Sequence, residues 1–352
     1  MKYLVKMTPL EPYAFGTEQG FAYPGEESLG KSSYFVRSGL LPEQTTIWGM
    51  LRFWMLSNSG LMHSNFQYSK EEQERISLEI GSESFQFQAK EVQNLGNLKA
   101  ISPLFLLNKK DEILIKNPYH NKSTKAYEPM EMSGEEIITS AGTILLPKGK
   151  SEYDAKAGYA QGYINLNTKE TDTNLFEVHL LSGNRKNNKG DSEEDCYFKR
   201  EVVTIKKGYS FAVYMEAEAD NLPESGIVYM GQKQSMFKLT VIPTKVPSLK
   251  EQVEAAFAAC EGAAWMYALS DLYVGDKAFT LDTFSIVEEK YVRNLETVYQ
   301  EEKQLKKVKK SKVRYNLIKS GSVFYEHCPL DLENRNAAQL GYNQIVQLGG
   351  KR

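Results

Sequence analysis

Helical periodicity is confined to two stretches of this chain, and the long interval between them reads as short strands and turns. The first stretch follows Pro42, where Ile47, Met50, Leu51, Trp54 and Met55 recur at the spacing of one helix face. Thr45 or Thr46 is its expected cap and Gly60 its expected end. The second spans residues 247–269, with Val253, Phe257, Cys260 and Trp265 among its apolar positions. Residues 2–8 alternate apolar and polar and predict a strand, which Pro9 and Pro12 stop; residues 16–39 then read as a glycine- and serine-rich loop. Residues 100–107 and 112–116 predict a hairpin, and residues 147–175 an exposed, turn-rich insertion. Two β-prone arms, 176–181 and 197–205, flank a polar tip, and further strands are predicted at 209–215, 313–318, 323–325 and near the end. Regular βα alternation is missing, which disfavours doubly wound and barrel folds. No period of 20–50 residues recurs, so a solenoid is unsupported. The order predicts an α+β fold with antiparallel sheets.

The chain has 352 residues, the length of two ordinary domains, and 41% hydrophobic residues, enough for a sizeable core. Basic and acidic residues nearly cancel, 43 against 45, for a net charge of −2. Such a balance gives no global attraction to a polyanion, so any nucleic-acid site must be local. Cys196, Cys260 and Cys328 form no CxxC pair, which leaves a zinc knuckle unsupported and points to a reducing compartment. The most apolar stretch, residues 47–56, carries Arg52 and is too short to span a membrane. The N-terminus has no apolar core of a signal peptide, and the expected location is the cytoplasm.

Residues 25–32, GEESLGKS, fit the GxxxxGK[ST] phosphate loop. That loop works between a buried strand and a helix, and here a glycine- and proline-punctuated loop precedes it while Gly39 follows closely. His63, His120, His179 and His327 are scattered without HxxxH spacing, so no metal site or catalytic group is assigned. His63 is the candidate general base if the protein cleaves RNA. Seven basic residues fall between Lys303 and Arg314, among them Lys307 and Lys310, as either a solvated linker face or a phosphate-contacting segment. Arg185, Lys186 and Lys189 form a weaker basic group, followed at once by four acidic residues.

Several segments together resemble a known family. The run Leu40-Leu-Pro-Glu-Gln-Thr45-Thr46-Ile-Trp-Gly49-Met-Leu-Arg52 resembles the helix-opening signature of CRISPR-associated RAMP proteins. The segment from Phe176 to Glu216, with Tyr197, Phe198, Glu201, Lys207 and Gly208, is similar to that superfamily's long hairpin. Ser320-Gly-Ser-Val-Phe-Tyr325 and Gly341-Tyr342-Asn343 through Gly349 resemble the C-terminal strand and glycine-rich element of one branch, the third subunit of the type III-B Cmr effector complex. Asn343 stands where that branch has glycine, and asparagine tolerates a positive φ better than most residues. The Gly231-Gln-Lys-Gln segment also has fewer glycines than its counterparts.

The resemblance implies two ferredoxin-like, RRM-type modules with inserted β-hairpins, divided as 1–222 and 223–352. It implies a non-catalytic, cofactor-free subunit that holds the 5′ repeat-derived handle of the CRISPR RNA. The implied partners are the large polymerase/cyclase-like subunit and neighbouring RAMP backbone subunits, with no membrane. A RAMP-type endoribonuclease using His63 or His327, and the equivalent subunit of a type III-A Csm complex, are the alternatives. Under this resemblance the RNA-contacting candidates are Gly30, Lys31, Ser32, Arg37, Arg52, Arg185, Lys186, Lys307, Lys310, Gly341, Tyr342, Gly349 and Gly350. Glycine turns let backbone amides approach phosphate. The arginines and lysines neutralise it, and Tyr34, Phe35 and Tyr342 are candidates to stack a splayed base.

Overall fold

The strand predicted at the N-terminus becomes the middle of a nine-stranded sheet. The computed structural model describes residues 1–22, 34–63, 68–149, 152–154, 156, 158–183, 198–218, 222–260, 262, 264–275, 281–300 and 305–350. Strand Lys2–Pro9 pairs antiparallel with Ser210–Ala217 on one side and Ser235–Pro243 on the other, placing Val5 opposite Val213 and Val241. Its alternation sends Tyr3, Val5 and Met7 into the core, each less than 5% exposed. Leu98–Ile101 and Phe105–Leu107 continue the sheet from Ser210–Ala217. Ile113–Lys116, Tyr163–Asn165 and Thr171–Asp172 complete that side, and Ser225–Met230 forms the opposite edge.

Helix α1 (Gln44–Asn58) lays Ile47, Trp48, Leu51, Trp54 and Met55 over this sheet against Val5, Met7, Phe237 and Leu239. Helix α2 (Lys70–Ile80) follows it and opens with a capping box between Ser69 and Glu72. Helix α3 (Leu249–Phe257) opens with another, between Ser248 and Glu251. Its Leu249, Val253 and Phe257 cover Ala212 and Tyr214 of the large sheet together with Trp265 and Tyr267 of a second one. The second sheet has the order Ser285–Ile286, Val323–Tyr325, Trp265–Ala268, Ile345–Leu348. Helix α4 (Arg335–Gln339) precedes its last strand and is capped by Asn334. Both sheets carry four strands in the spatial order second, third, first, fourth: Leu98–Ile101, Ser210–Ala217, Lys2–Pro9 and Ser235–Pro243 repeat it in the large one.

Strands Phe176–Gly183 and Phe198–Ile205 pair as the expected long hairpin. Tyr34–Gly39 joins that hairpin in parallel and Phe15–Ala22 joins Tyr34–Gly39, so strands stand within the segment read as a loop. Two ribbons stand outside the main sheets, Met132–Thr139 with Gly142–Pro147 and Leu295–Gln300 with Leu305–Lys310. Two further expectations change. The helix expected over 247–269 ends at Phe257 and Trp265–Ala268 is a central strand. The spacing shows why: five positions separate Cys260 from Trp265, which breaks the helical recurrence, and Trp-Met-Tyr is β-prone. The segment 147–175 is not wholly exposed, because Ile164 is 0% exposed at the heart of Tyr163–Asn165. Beyond residue 222, Ser225–Met230 and Ser235–Pro243 both belong to the large sheet. The two buried clusters likewise mix residues from before and after residue 222. Among the described residues, no helix is long and apolar enough to cross a membrane.

Candidate nucleic-acid interface

Two consecutive residues at the start of α1, Glu43 and Gln44, are each held by the C-terminal part of the chain. The Lys290 ammonium donates to both carboxylate oxygens of Glu43, at 2.9 and 2.8 Å, and also pairs with Asp271. Burial alone pushes the Lys290 pKa down, but Asp271 and Glu43 reverse this and hold it well above the ordinary lysine value. Gln44 donates from Nε2 to the carbonyls of Leu340 and Ser102, at 2.7 and 2.9 Å. Tyr342 packs in the same buried cluster as Ile47 and Trp48 of this helix. Tyr342 is 1% exposed, and burial raises its pKa, so its hydroxyl stays protonated. The N-cap of α1 is Glu43 rather than a threonine, and it makes no side-chain cap. Its carboxylate is engaged by Lys290, and its backbone carbonyl accepts from the Thr46 and Ile47 amides.

The same helix presents Thr45, Thr46, Gly49 and Phe53 to a groove of about 780 Å³. The facing wall is the edge strand Ser225–Met230 with Gly231 and Gln234, and Arg293 and Asn294 also line the groove. Among the described residues, Arg52 and Arg293 line the groove and no carboxylate does. Phe53 and Tyr229, from the two walls, are 55% and 54% exposed. Gly49 sits inside a helix with nothing within 4 Å of the position a Cβ would take. A mid-helix glycine costs about 1 kcal/mol relative to alanine, and no packing contact explains it here. It does leave the helix backbone open to a ligand. Next to the groove, Lys233 and Gln234 adopt positive φ, 55° and 56°, where glycines would sit without strain.

The groove therefore gathers a helix N-terminus, two arginines, two exposed aromatics and an open backbone. These can hold a single-stranded polyanion: amide dipoles and guanidinium groups on phosphate, aromatic faces on bases. Among the described residues, no three of His, Cys, Asp and Glu converge in a way that could hold a metal ion.

The RNA candidates read from sequence are distributed differently. Arg52 lines the groove, but Nη1 and Nη2 donate to the carbonyls of Glu83 and Gly81, both at 3.1 Å, while Nε is buried without a partner. Burial lowers its pKa. Gly341 is packed, since a Cβ there would stand 2.3 Å from Gln44 Nε2 and 2.5 Å from the Ser102 carbonyl. Tyr342 is buried against Phe85 and Phe87. Gly349 and Gly350 share a shallow surface with Glu251 and Glu254, a setting that repels phosphate. Arg37 is exposed on Tyr34–Gly39 and does not line the groove. Lys307 and Lys310 lie on a ribbon, in register with Val298 and Leu295, and their side chains fall outside what is described. Gly30, Lys31, Ser32, Arg185, Lys186 and the GxxxxGKS segment lie outside the described residues. So do the side chains of Tyr34 and Phe35.

The histidines are all engaged. His63 bonds Glu72 at 2.7 Å and does not line the groove. His327 bonds Asp282, His179 bonds Thr204, and His120 stacks on Trp265. Sequence reasoning missed Phe53, Tyr229, Lys290 and Arg293. Phe53 left a signal, an aromatic off the apolar face of its helix. Lys290 left none, because its contact to Glu43 spans 247 residues.

Comparison with known proteins follows the same lines. A family model described as CRISPR-associated protein (Cas_Cmr3) matches residues 5–348. The chain is similar to one in a cryo-EM structure of the type III-B Cmr-beta complex bound to cognate target RNA and AMPPnP, with a TM-score of 0.51 and 15% identity over 98% of this chain and 96% of that one. A second, of Cmr-beta bound to cognate target RNA, gives 0.49 and 14% over the same shares, 98% and 96%. At this identity the first likeness shows a shared fold. No curated protein matches the sequence significantly.

Proposed function

The chain belongs to the Cas_Cmr3 family of CRISPR-associated proteins, and from that premise we propose that it is the RNA-binding third subunit of a type III-B Cmr effector complex in antiviral defence. Its role is to hold the 5′ repeat-derived handle of the CRISPR RNA and to dock the large polymerase/cyclase-like subunit beside the RAMP backbone subunits. The work is binding and assembly, not bond-breaking chemistry. The observation that carries the RNA reading is the groove between α1 and Ser225–Met230, lined among the described residues by two arginines and no carboxylate, on a chain of net charge −2. Two antiparallel sheets of equal strand order support a pair of ferredoxin-like modules. Gly30, Lys31, Ser32, Arg37, Arg185, Lys186, Lys307 and Lys310 are secondary phosphate contacts under this reading. His63, engaged by Glu72 and away from the groove, supports binding over RNA cleavage.

The test is co-purification with Cmr subunits and a titration of a fluorescent repeat-derived 5′ RNA against the chain. Retention in the complex and a shift that falls at least tenfold for Arg293→Ala support the proposal. No association with Cmr partners and no RNA shift would sink it.

A further inference from the structure

The groove's helix is not set in place by its own cap, and its fixings come from far along the chain. Glu43 and Gln44 are gripped by Lys290 and the Leu340 carbonyl, and the next two residues, Thr45 and Thr46, line the groove. Lys290 stands on strand Glu289–Val292, which ends one residue before Arg293, a lining residue of the groove. One strand thus carries the cation that fixes the start of the groove's helix and leads directly into a groove arginine. Asp271, the other partner of Lys290, accepts from the Ser320 amide at 2.8 Å, and its carbonyl accepts from the Asn343 amide at 3.1 Å. The glycine-rich element and the Ser-Gly-Ser turn are thereby joined to the same ion group.

A shielded ion triad is a weak source of stability, because desolvation offsets its attraction, whereas it specifies geometry well. Lys290 is one-fifth exposed, Asp271 15% and Glu43 34%. None of the three lines the groove.

We infer that Lys290 is a positioning residue for the RNA groove: by gripping Glu43 it fixes the first turn of α1, and the C-terminal glycine-rich element acts on RNA through this clamp rather than by touching it. The inference rests on the RNA reading of the groove. It predicts an affinity effect without a lost phosphate contact.

Lys290→Met and Glu43→Gln, made in the full chain and assayed below their melting temperatures, each lower affinity for the repeat-derived single-stranded RNA about tenfold. The double variant falls no further, and Lys290→Arg recovers most of the loss. The slope of log K against log salt stays at the wild-type value, whereas loss of a direct phosphate contact shallows it by about 0.7. Hydrogen exchange rises at the amides of residues 44–50 in Lys290→Met, and this readout needs no RNA. Unchanged affinity in stable variants, a shallower slope, or unchanged exchange at α1 overturns the inference. If wild type binds no RNA, the groove reading fails instead, and exchange alone decides whether the clamp sets the helix.

Discussion

At the scale of single residues, two positions separate folding from function. Gly49 occupies the middle of α1 with open space around it, so alanine fits and improves helix propensity. Gly49→Ala is expected to stabilise the fold by about 0.5–1 kcal/mol, visible as a higher melting temperature. The same methyl stands in the groove, and RNA affinity falls severalfold in the same sample. A variant that gains stability and keeps full affinity would show that nothing approaches the helix there. Asn343 poses the reverse case. Its φ of 59° suits glycine, yet its Oδ1 accepts from the Tyr273 amide at 2.7 Å and its Nδ2 donates to the Leu332 carbonyl at 3.1 Å. Glycine would relieve the backbone and leave a buried amide without its acceptor. Asn343→Gly is therefore expected to lose about 1–3 kcal/mol in denaturant melts, and an unchanged midpoint would show that water replaces the side chain.

At the scale of elements, what was legible in the sequence follows from how local the signal is. Helix α1 was legible because its apolar spacing is long and regular, and the long hairpin because two β-prone arms flank a polar tip. The helix expected across 247–269 was not, because the five-position step from Cys260 to Trp265 fits neither period, and tertiary burial decides that Trp265 is a strand residue. Half the candidate site was legible in the same way. The Thr45–Arg52 run announces itself locally, while Lys290, Arg293 and Tyr229 reach it only through sheet topology. Gly341 was identified as special but for a different reason, close packing rather than phosphate approach.

His120 belongs to this scale because it ties the loop that follows strand Ile113–Lys116 of the large sheet to Trp265 of the second sheet. It is 1% exposed, its Nε2 is 2.8 Å from the Tyr127 hydroxyl, and its ring lies 4.5 Å from that of Trp265. Burial lowers its pKa to about 3. An unfolded histidine titrates near 6.5, so between these values the unfolded chain binds the proton that the native chain refuses. The stability this neutral ring contributes is fully present above about pH 6.5 and is lost progressively as pH falls toward 3, by up to about 1.4 kcal/mol per unit. Melting curves of wild type and His120→Phe should diverge at pH 8, from the lost Tyr127 bond, and converge toward pH 5. Parallel curves across that range would place the acid sensitivity elsewhere.

At the scale of the whole molecule, the charge balance constrains how RNA is held. A free-standing, sequence-independent RNA binder has a basic excess, and this chain has 43 basic and 45 acidic residues. Its described groove supplies two arginines, one of which already spends two of its donors on backbone carbonyls. Few counterions are then released when the isolated chain binds RNA. For single strands each neutralised phosphate contributes about −0.7 to the slope of log K against log salt. A slope between about −1.5 and −3 is expected for the chain alone, corresponding to about two to four phosphates. A subunit that grips one RNA end within an assembly needs no more, because neighbouring subunits hold the rest of the strand. In a reconstituted Cmr complex, the same RNA should therefore bind far more tightly and with a steeper slope. If the isolated chain already shows the slope and affinity of the complex, its acidic residues are segregated from a larger basic surface, and the groove between α1 and Ser225–Met230 is not the principal RNA contact.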